Sequence, residues 1–115
     1  MVAKAYVPGV GDLVWLNFMP QAGHEQAGRR PALVLSPLTY NDKASLAVVC
    51  PITSRAKGYP FEVPLPKGLM IAGVVLADHL KSVDWRERRA ERAGKVPRSV
   101  LEETLDRISA LLGLS

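Results

Sequence analysis

A single cysteine in 115 residues, Cys50, leaves no partner for an intramolecular disulfide. The fold must hold without covalent staples, and a reducing cytoplasmic setting fits. Histidine is almost as scarce. His24 and His79 are the only two, and no Cys/His cluster has the spacing of a zinc site, so no structural metal is expected. Long apolar runs are absent too. None approaches the length needed to span a bilayer, and Met1-Val2-Ala3-Lys4-Ala5-Tyr6 lacks the apolar core of a signal peptide. No repeat, low-complexity segment or dividing linker is visible, which predicts one domain over residues 1–115.

Hydrophobic residues at 48% and charged residues at 23% are ordinary for a globular chain and exclude a largely disordered one. A chain of this length can bury one real core. The net charge of +4 suggests a polyanionic partner, either nucleic acid or an acidic protein segment. Composition alone also fits a basic protein with no such partner. Cys50 ends the apolar run Leu46-Ala47-Val48-Val49-Cys50, where a thiol is better explained as packing than as a nucleophile.

The elements follow from local pattern. Residues 12–18 (Asp-Leu-Val-Trp-Leu-Asn-Phe) predict a strand rich in β-branched and aromatic residues and apolar on both faces. A loop over 19–28 is punctuated by Pro20, Gly23 and Gly28, and a second strand covers 30–36. Residues 37–43 predict a turn or short helix. A third strand over 46–54 contains Pro51, which lacks a ladder donor and suggests an edge or a bulge. A basic loop over 54–60 precedes a half-exposed alternating strand at 61–65. After a glycine-bearing connection, residues 74–85 predict one strand with a wet far end. The charge run 86–95 predicts a solvated face that could also extend a basic track, with 95–97 as a last short strand segment. Residues 99–113 predict a helix, with Ser99 and Glu102 at capping-box spacing and an apolar stripe of Leu101, Leu105, Ile108 and Leu112. Glu103 and Arg107 pair at i, i+4, and Gly113 supplies the stop. Short strands needing cover on both faces suit a small, strongly curved barrel.

The stretch Gly23-His24-Glu25-Gln26-Ala27-Gly28-Arg29-Arg30-Pro31 is the most suggestive. A glycine-bracketed loop carrying a carboxylate ends in two guanidinium groups, and proline then fixes the chain's direction into an apolar strand. That is a way to build a site for an anionic substrate.

Four blocks occur in order: Gly11-Asp12-Leu13-Val14-Trp15; Gly23-x-Glu25-Gln26-Ala27-Gly28-x-Arg30-Pro31-Ala32-x-Val34-Leu35-Ser36; Lys57-Gly58-Tyr59-Pro60-Phe61-Glu62-Val63; and Ala77-Asp78-x-x-Lys81-Ser82. Together they resemble the MazF/PemK family of toxin–antitoxin endoribonucleases, over nearly the whole chain. The resemblance implies a mainly β fold, an SH3-like small barrel with a C-terminal helix, working as a homodimer. It implies cleavage of single-stranded RNA at a short sequence, without a metal or other cofactor, to a 2′,3′-cyclic phosphate and a 5′-hydroxyl. It also implies a MazE-like antitoxin whose acidic C-terminal segment covers the RNA groove. Carried over by motif, the catalytic residues are Arg30, Thr53 and Glu25.

The chemistry is coherent. The neighbouring 2′-hydroxyl is the nucleophile, so the substrate itself supplies the intramolecular advantage. Arg30 suits the phosphoryl oxygens, Thr53 can donate its hydroxyl to one of them or orient the 2′-hydroxyl, and Glu25 could take the 2′-hydroxyl proton or read a base edge. Phe18 could stack on an unpaired base. Lys57, Tyr59 and Lys81 are candidates for phosphate or base contact. His24, His79 and Met19 depart from the family pattern near the implied groove. The two histidines are expected to tune base recognition rather than move protons. Two rival readings share the fold: a non-catalytic CcdB-like toxin that binds a protein such as DNA gyrase, and an SH3-like adaptor.

Overall fold

The computed structural model describes residues 5–18 and 28–114. Strands β1 (Asp12–Phe18), β2 (Gly28–Val34) and β3 (Leu46–Thr53) form its centre. A short helix α1 (Leu38–Ala44) links β2 to β3. Strands β4 (Glu62–Pro64), β5 (Val74–Leu76), β6 (Lys81–Asp84) and β7 (Glu91–Lys95) follow, and helix α2 (Arg98–Leu111) closes the described chain. The strand order is β4-β5-β3-β2-β1-β7, with β6 also on β3, and every pairing is antiparallel. The chain is thus mainly β with a C-terminal helix. Among the described residues the ladder from β4 to β7 does not return on itself. No helix in them is long and apolar enough to cross a membrane.

The central strands are apolar on both faces because each face carries its own core. One face gathers Leu13, Leu33, Cys50, Ile52 and Val75, covered by α2 through Val100 and Ile108. The other gathers Val14, Leu16, Ala32, Val34, Ala47, Val49, Val83 and Trp85. Alternation along each strand makes this division, since successive side chains point to opposite sides.

Four expectations from sequence need correction. The segment 74–85 is not one strand. A single 3-10 turn, Ala77–His79, breaks it, because Ala77 is fully buried and its N–H is held by the Phe61 carbonyl at 3.0 Å. The break lets β5 pair with Ile52 and Thr53 of β3 while β6 pairs with Leu46 to Val49. The charge run conceals strand β7, which pairs with β1 and buries Ala93 between exposed charges. Pro51 lies in a central strand rather than at an edge. It is tolerated because Cys50 and Pro51 fall between the β6 and β5 pairings.

The fourth correction concerns α2. It starts at Arg98 after Pro97 with no side-chain cap, so Ser99 is already inside the first turn, and Glu102 is bound by Arg98 at 2.9 Å. Its buried face is Val100, Thr104 and Ile108, whereas Leu105 and Leu112 are exposed. Thr104 is compatible with the core because its hydroxyl donates to the Val100 carbonyl at 2.8 Å. The Glu103–Arg107 pair and the Gly113 stop are present: Gly113 has φ +72, and the Gly113 and Leu114 amides return to Ala110 and Ser109.

Cys50 is fully buried. Burial, aided by the charge of Asp78, pushes its thiol from an ordinary 9.0 up to about 12. Because the unfolded thiol ionises first, stability should fall as pH rises from about 9 toward about 12, by roughly 1.4 kcal/mol per pH unit at most. At pH 8 a thiol reagent should label Cys50 only as fast as the protein opens. Stoichiometric labelling of folded protein within minutes would contradict this burial.

Candidate active site

The β2–β3 ladder ends at Ala32 opposite Pro51. Pro31, whose N–H would face β3, has none to give, so the two strands stop exchanging hydrogen bonds and part. Into this opening sinks a groove of about 990 Å³. Continuing the register past its last pair sets Arg30 opposite Thr53. Both line the groove, with Phe18, Pro51, His79 and Lys81.

Parity explains why these residues meet. Arg30 is opposite Leu16 on β1, Phe18 follows Leu16 by two, and Lys81 is opposite Val49 on β3. Phe18, Arg30, Thr53 and Lys81 therefore project from one face, at the end where the apolar core of that face gives out. Arg30 is exposed, and its side chain makes no hydrogen bond among the described residues. Its fork is left available for an anion.

Arg29, one residue earlier, belongs to the other side and is fully engaged. It donates to Asn17 Oδ1 at 2.5 Å, the Trp15 carbonyl at 3.2 Å, the Arg89 carbonyl at 2.9 Å and Glu91 Oε1 at 3.3 Å. It reaches the rim of the groove but acts as a clip, tying β1 and the foot of β2 to the β6–β7 turn.

Thr53 Oγ1 accepts the Arg55 backbone N–H at 3.1 Å. With that lone pair used, the hydroxyl proton remains to be donated into the groove. Lys81 Nζ and Arg88 Cζ lie 4.8 and 4.9 Å from the centroid of the Phe18 ring. Phe18 is half-buried against the core below, so it anchors two cations at the groove as well as offering apolar surface. His79 is exposed, with Nε2 3.8 Å from Asp78 Oδ1.

Of the residues singled out from sequence, Phe18, Arg30, Thr53, His79 and Lys81 are thus brought together. Lys57 and Tyr59 are not. They sit on the loop after β3, outside the groove lining, where the Glu62 carboxylate holds the Lys57 and Gly58 amides at 2.9 to 3.1 Å. His24 and Glu25 lie outside the described residues. Sequence reasoning missed Arg55 and Met70 in the groove wall, and saw Arg88, beside Phe18, only as part of a mixed charge run. Arg88 carried no local signal, because only the fold of the β6–β7 turn brings it to β1.

Residues 10–112 match the family of PemK-like, MazF-like toxins of type II toxin–antitoxin systems. The chain belongs to that family. It is 48% identical to the endoribonuclease toxin MazF of Escherichia coli K12, over 98% of this chain and all of the relative. It is 38% identical to the Escherichia coli endoribonuclease PemK, over 89% of this chain and 80% of the relative. Among solved structures, a MazE–MazF complex from Deinococcus radiodurans superposes with a TM-score of 0.92 at 62% identity, covering 96% of this chain and all of that one. A mycobacterial endoribonuclease in complex with its cognate antitoxin shares the fold at a TM-score of 0.75 and 19% identity, covering 94% of this chain and 97% of that one. For a MazF-like toxin, a groove lined by a threonine and by an arginine whose side chain has no hydrogen bond among the described residues is an arrangement suited to a phosphodiester.

Proposed function

We propose that this MazF-like toxin is a sequence-specific endoribonuclease that cleaves single-stranded messenger RNA without a metal ion. The observation that carries the reading is the meeting of Arg30 and Thr53 where β2 and β3 part. In the proposed reaction the 2′-oxygen attacks the adjacent phosphorus and the bond from phosphorus to the 5′-oxygen breaks. The 2′-hydroxyl proton leaves to a base, for which Glu25 is the candidate, and the departing 5′-oxygen gains a proton. The products are a 2′,3′-cyclic phosphate and a 5′-hydroxyl. Arg30 offers two parallel donors to the phosphoryl oxygens as charge builds on them, and Thr53 adds a third. Lys81 and Arg88, held at Phe18, attract the backbone of flanking nucleotides, while His79 reads a base edge.

The whole chain then works as one domain, an SH3-like barrel in its curvature, and pairs as a homodimer in the cytoplasm. A MazE-like antitoxin silences it by laying an acidic segment along the same basic groove. This fits the net charge of +4 and the antitoxin complexes solved for similar proteins.

The test is to incubate the purified protein with a long single-stranded RNA in excess EDTA and map the ends. Discrete cuts with cyclic phosphate and 5′-hydroxyl ends are expected. Intact RNA together with inhibition of gyrase would instead favour a CcdB-like toxin.

A further inference from the structure

Gly73 immediately precedes β5, at the point where Val74 pairs with Thr53. Its φ of +129° is one that residues with a side chain rarely adopt. A Cβ built there would lie 2.2 Å from the Thr53 carbonyl oxygen, 2.8 Å from the Thr53 carbonyl carbon and 3.2 Å from Ser54 Cα. All three are backbone atoms, so no side chain can swing aside. The Gly73 carbonyl is itself fixed, accepting the Leu65 N–H at 2.9 Å. The backbone of the β4–β5 connection is therefore pressed directly against the peptide that carries Thr53. The same peptide leads into the Arg55 amide that binds Thr53 Oγ1 at 3.1 Å.

We infer that Gly73 is a positioning residue for RNA cleavage, acting through Thr53. By letting two backbones touch, it fixes the turn 53–55 and with it the direction of the Thr53 hydroxyl. This rests on the reading of Thr53 as a groove donor to the phosphate. Any larger residue at 73 must push the 53–54 peptide away by roughly 1 Å, a displacement that can cost on the order of 10²-fold in rate when it misplaces a reacting group. Binding of RNA, which draws on Arg30, Lys81 and Arg88 on other elements, should not follow.

Gly73→Ala is expected to lower kcat by about tenfold to a hundredfold. Its affinity for an uncleavable RNA, with 2′-O-methyl at the cut site, should stay within about threefold. Gly68 is the control. It lies in the same connection with φ +96, but a Cβ there meets nothing within 4 Å. Gly68→Ala therefore carries backbone strain without touching Thr53, and its kcat should remain within about twofold of the parent.

The deciding measurement is a double-mutant cycle with Thr53→Val. If Gly73 acts through the hydroxyl, adding Gly73→Ala to Thr53→Val should cost less than about threefold further. Multiplicative losses would overturn the inference and make Gly73 merely structural. If Gly73→Ala does not fold, the cycle is run with Leu69→Ala, which loosens the same connection from the core. Coupling to Thr53 again supports the inference and independent effects overturn it. Failure of the underlying reading is separate and visible first, as a parent protein that cuts no RNA or a Thr53→Val variant that cuts at full rate.

Discussion

Arg30→Ala should lower RNA cleavage by about 10²- to 10³-fold, the usual cost of removing one preorganised donor from a developing oxyanion. The protein itself should barely notice. Arg30 is exposed and its side chain makes no hydrogen bond among the described residues, so a change in stability beyond about 0.5 kcal/mol is not expected. Arg29→Ala should show the opposite balance. It removes four hydrogen bonds, among them those to the Arg89 carbonyl and to Glu91, and so should loosen the β6–β7 turn and cost about 1 kcal/mol. Its cleavage rate should drop by less than about tenfold, because its donors are already committed. Arg30→Lys would keep the charge but lose the planar fork, and should recover only part of the rate. The measurement is single-turnover cleavage of a short RNA beside a thermal melt of each variant. A larger rate loss for Arg29→Ala than for Arg30→Ala would reverse the assignment.

The second large effect is on folding. Asn41 is completely buried in α1, and its side chain joins three parts of the chain. Its amide donates to the Pro8 carbonyl at 2.8 Å and the Ser36 carbonyl at 2.9 Å, while its oxygen accepts the Ser36 hydroxyl at 2.6 Å. Ser36 in turn accepts the Val48 amide at 2.8 Å. Truncation to alanine orphans two carbonyls and a hydroxyl where water cannot easily follow. At about 1–3 kcal/mol for each unsatisfied buried group, partly relieved by relaxation, Asn41→Ala should cost about 4 kcal/mol. That is a large share of the roughly 5–15 kcal/mol of a small domain, and should lower the melting temperature by more than about 10 °C. The Trp85 indole bond survives, since it goes to the Asn41 backbone carbonyl. A melting temperature within about 3 °C of the parent would show that the network contributes little. Below its melting point the variant should still cleave, because none of these residues lines the groove.

How much of this was legible in the sequence depends on the kind of signal. Strands β1 to β3 were visible because two-sided burial writes unbroken apolar runs. The β7 strand was not, because an edge strand buries only Ala93 and its neighbours are charged for solvent. The helix was visible, but its buried face was misjudged. Leucine spacing suggested one stripe, while close approach to the sheet selected Val100, Thr104 and Ile108. Arg30 and Thr53 could be named from their motif, yet nothing local says that they line one groove. That follows from the pairing of β2 with β3, a long-range fact. The Gly73 contact with Thr53 was invisible for the same reason. A glycine in a loop looks like any turn residue until the partner backbone is in place.

The alternation that separates Arg30 from Arg29 also governs which length changes this toxin can survive in evolution. Leu33 and Val34, buried in opposite cores, lock β2 from its far end. Residues added to or lost from 19–27 leave that lock untouched and keep Arg30 on the groove side. One residue deleted between Arg30 and Leu33 would swing the guanidinium to the wrong face of an otherwise intact protein. The number of residues after Arg30 is therefore fixed by the buried side chains of Ala32, Leu33 and Val34, whereas the number before β2 is not held by that lock.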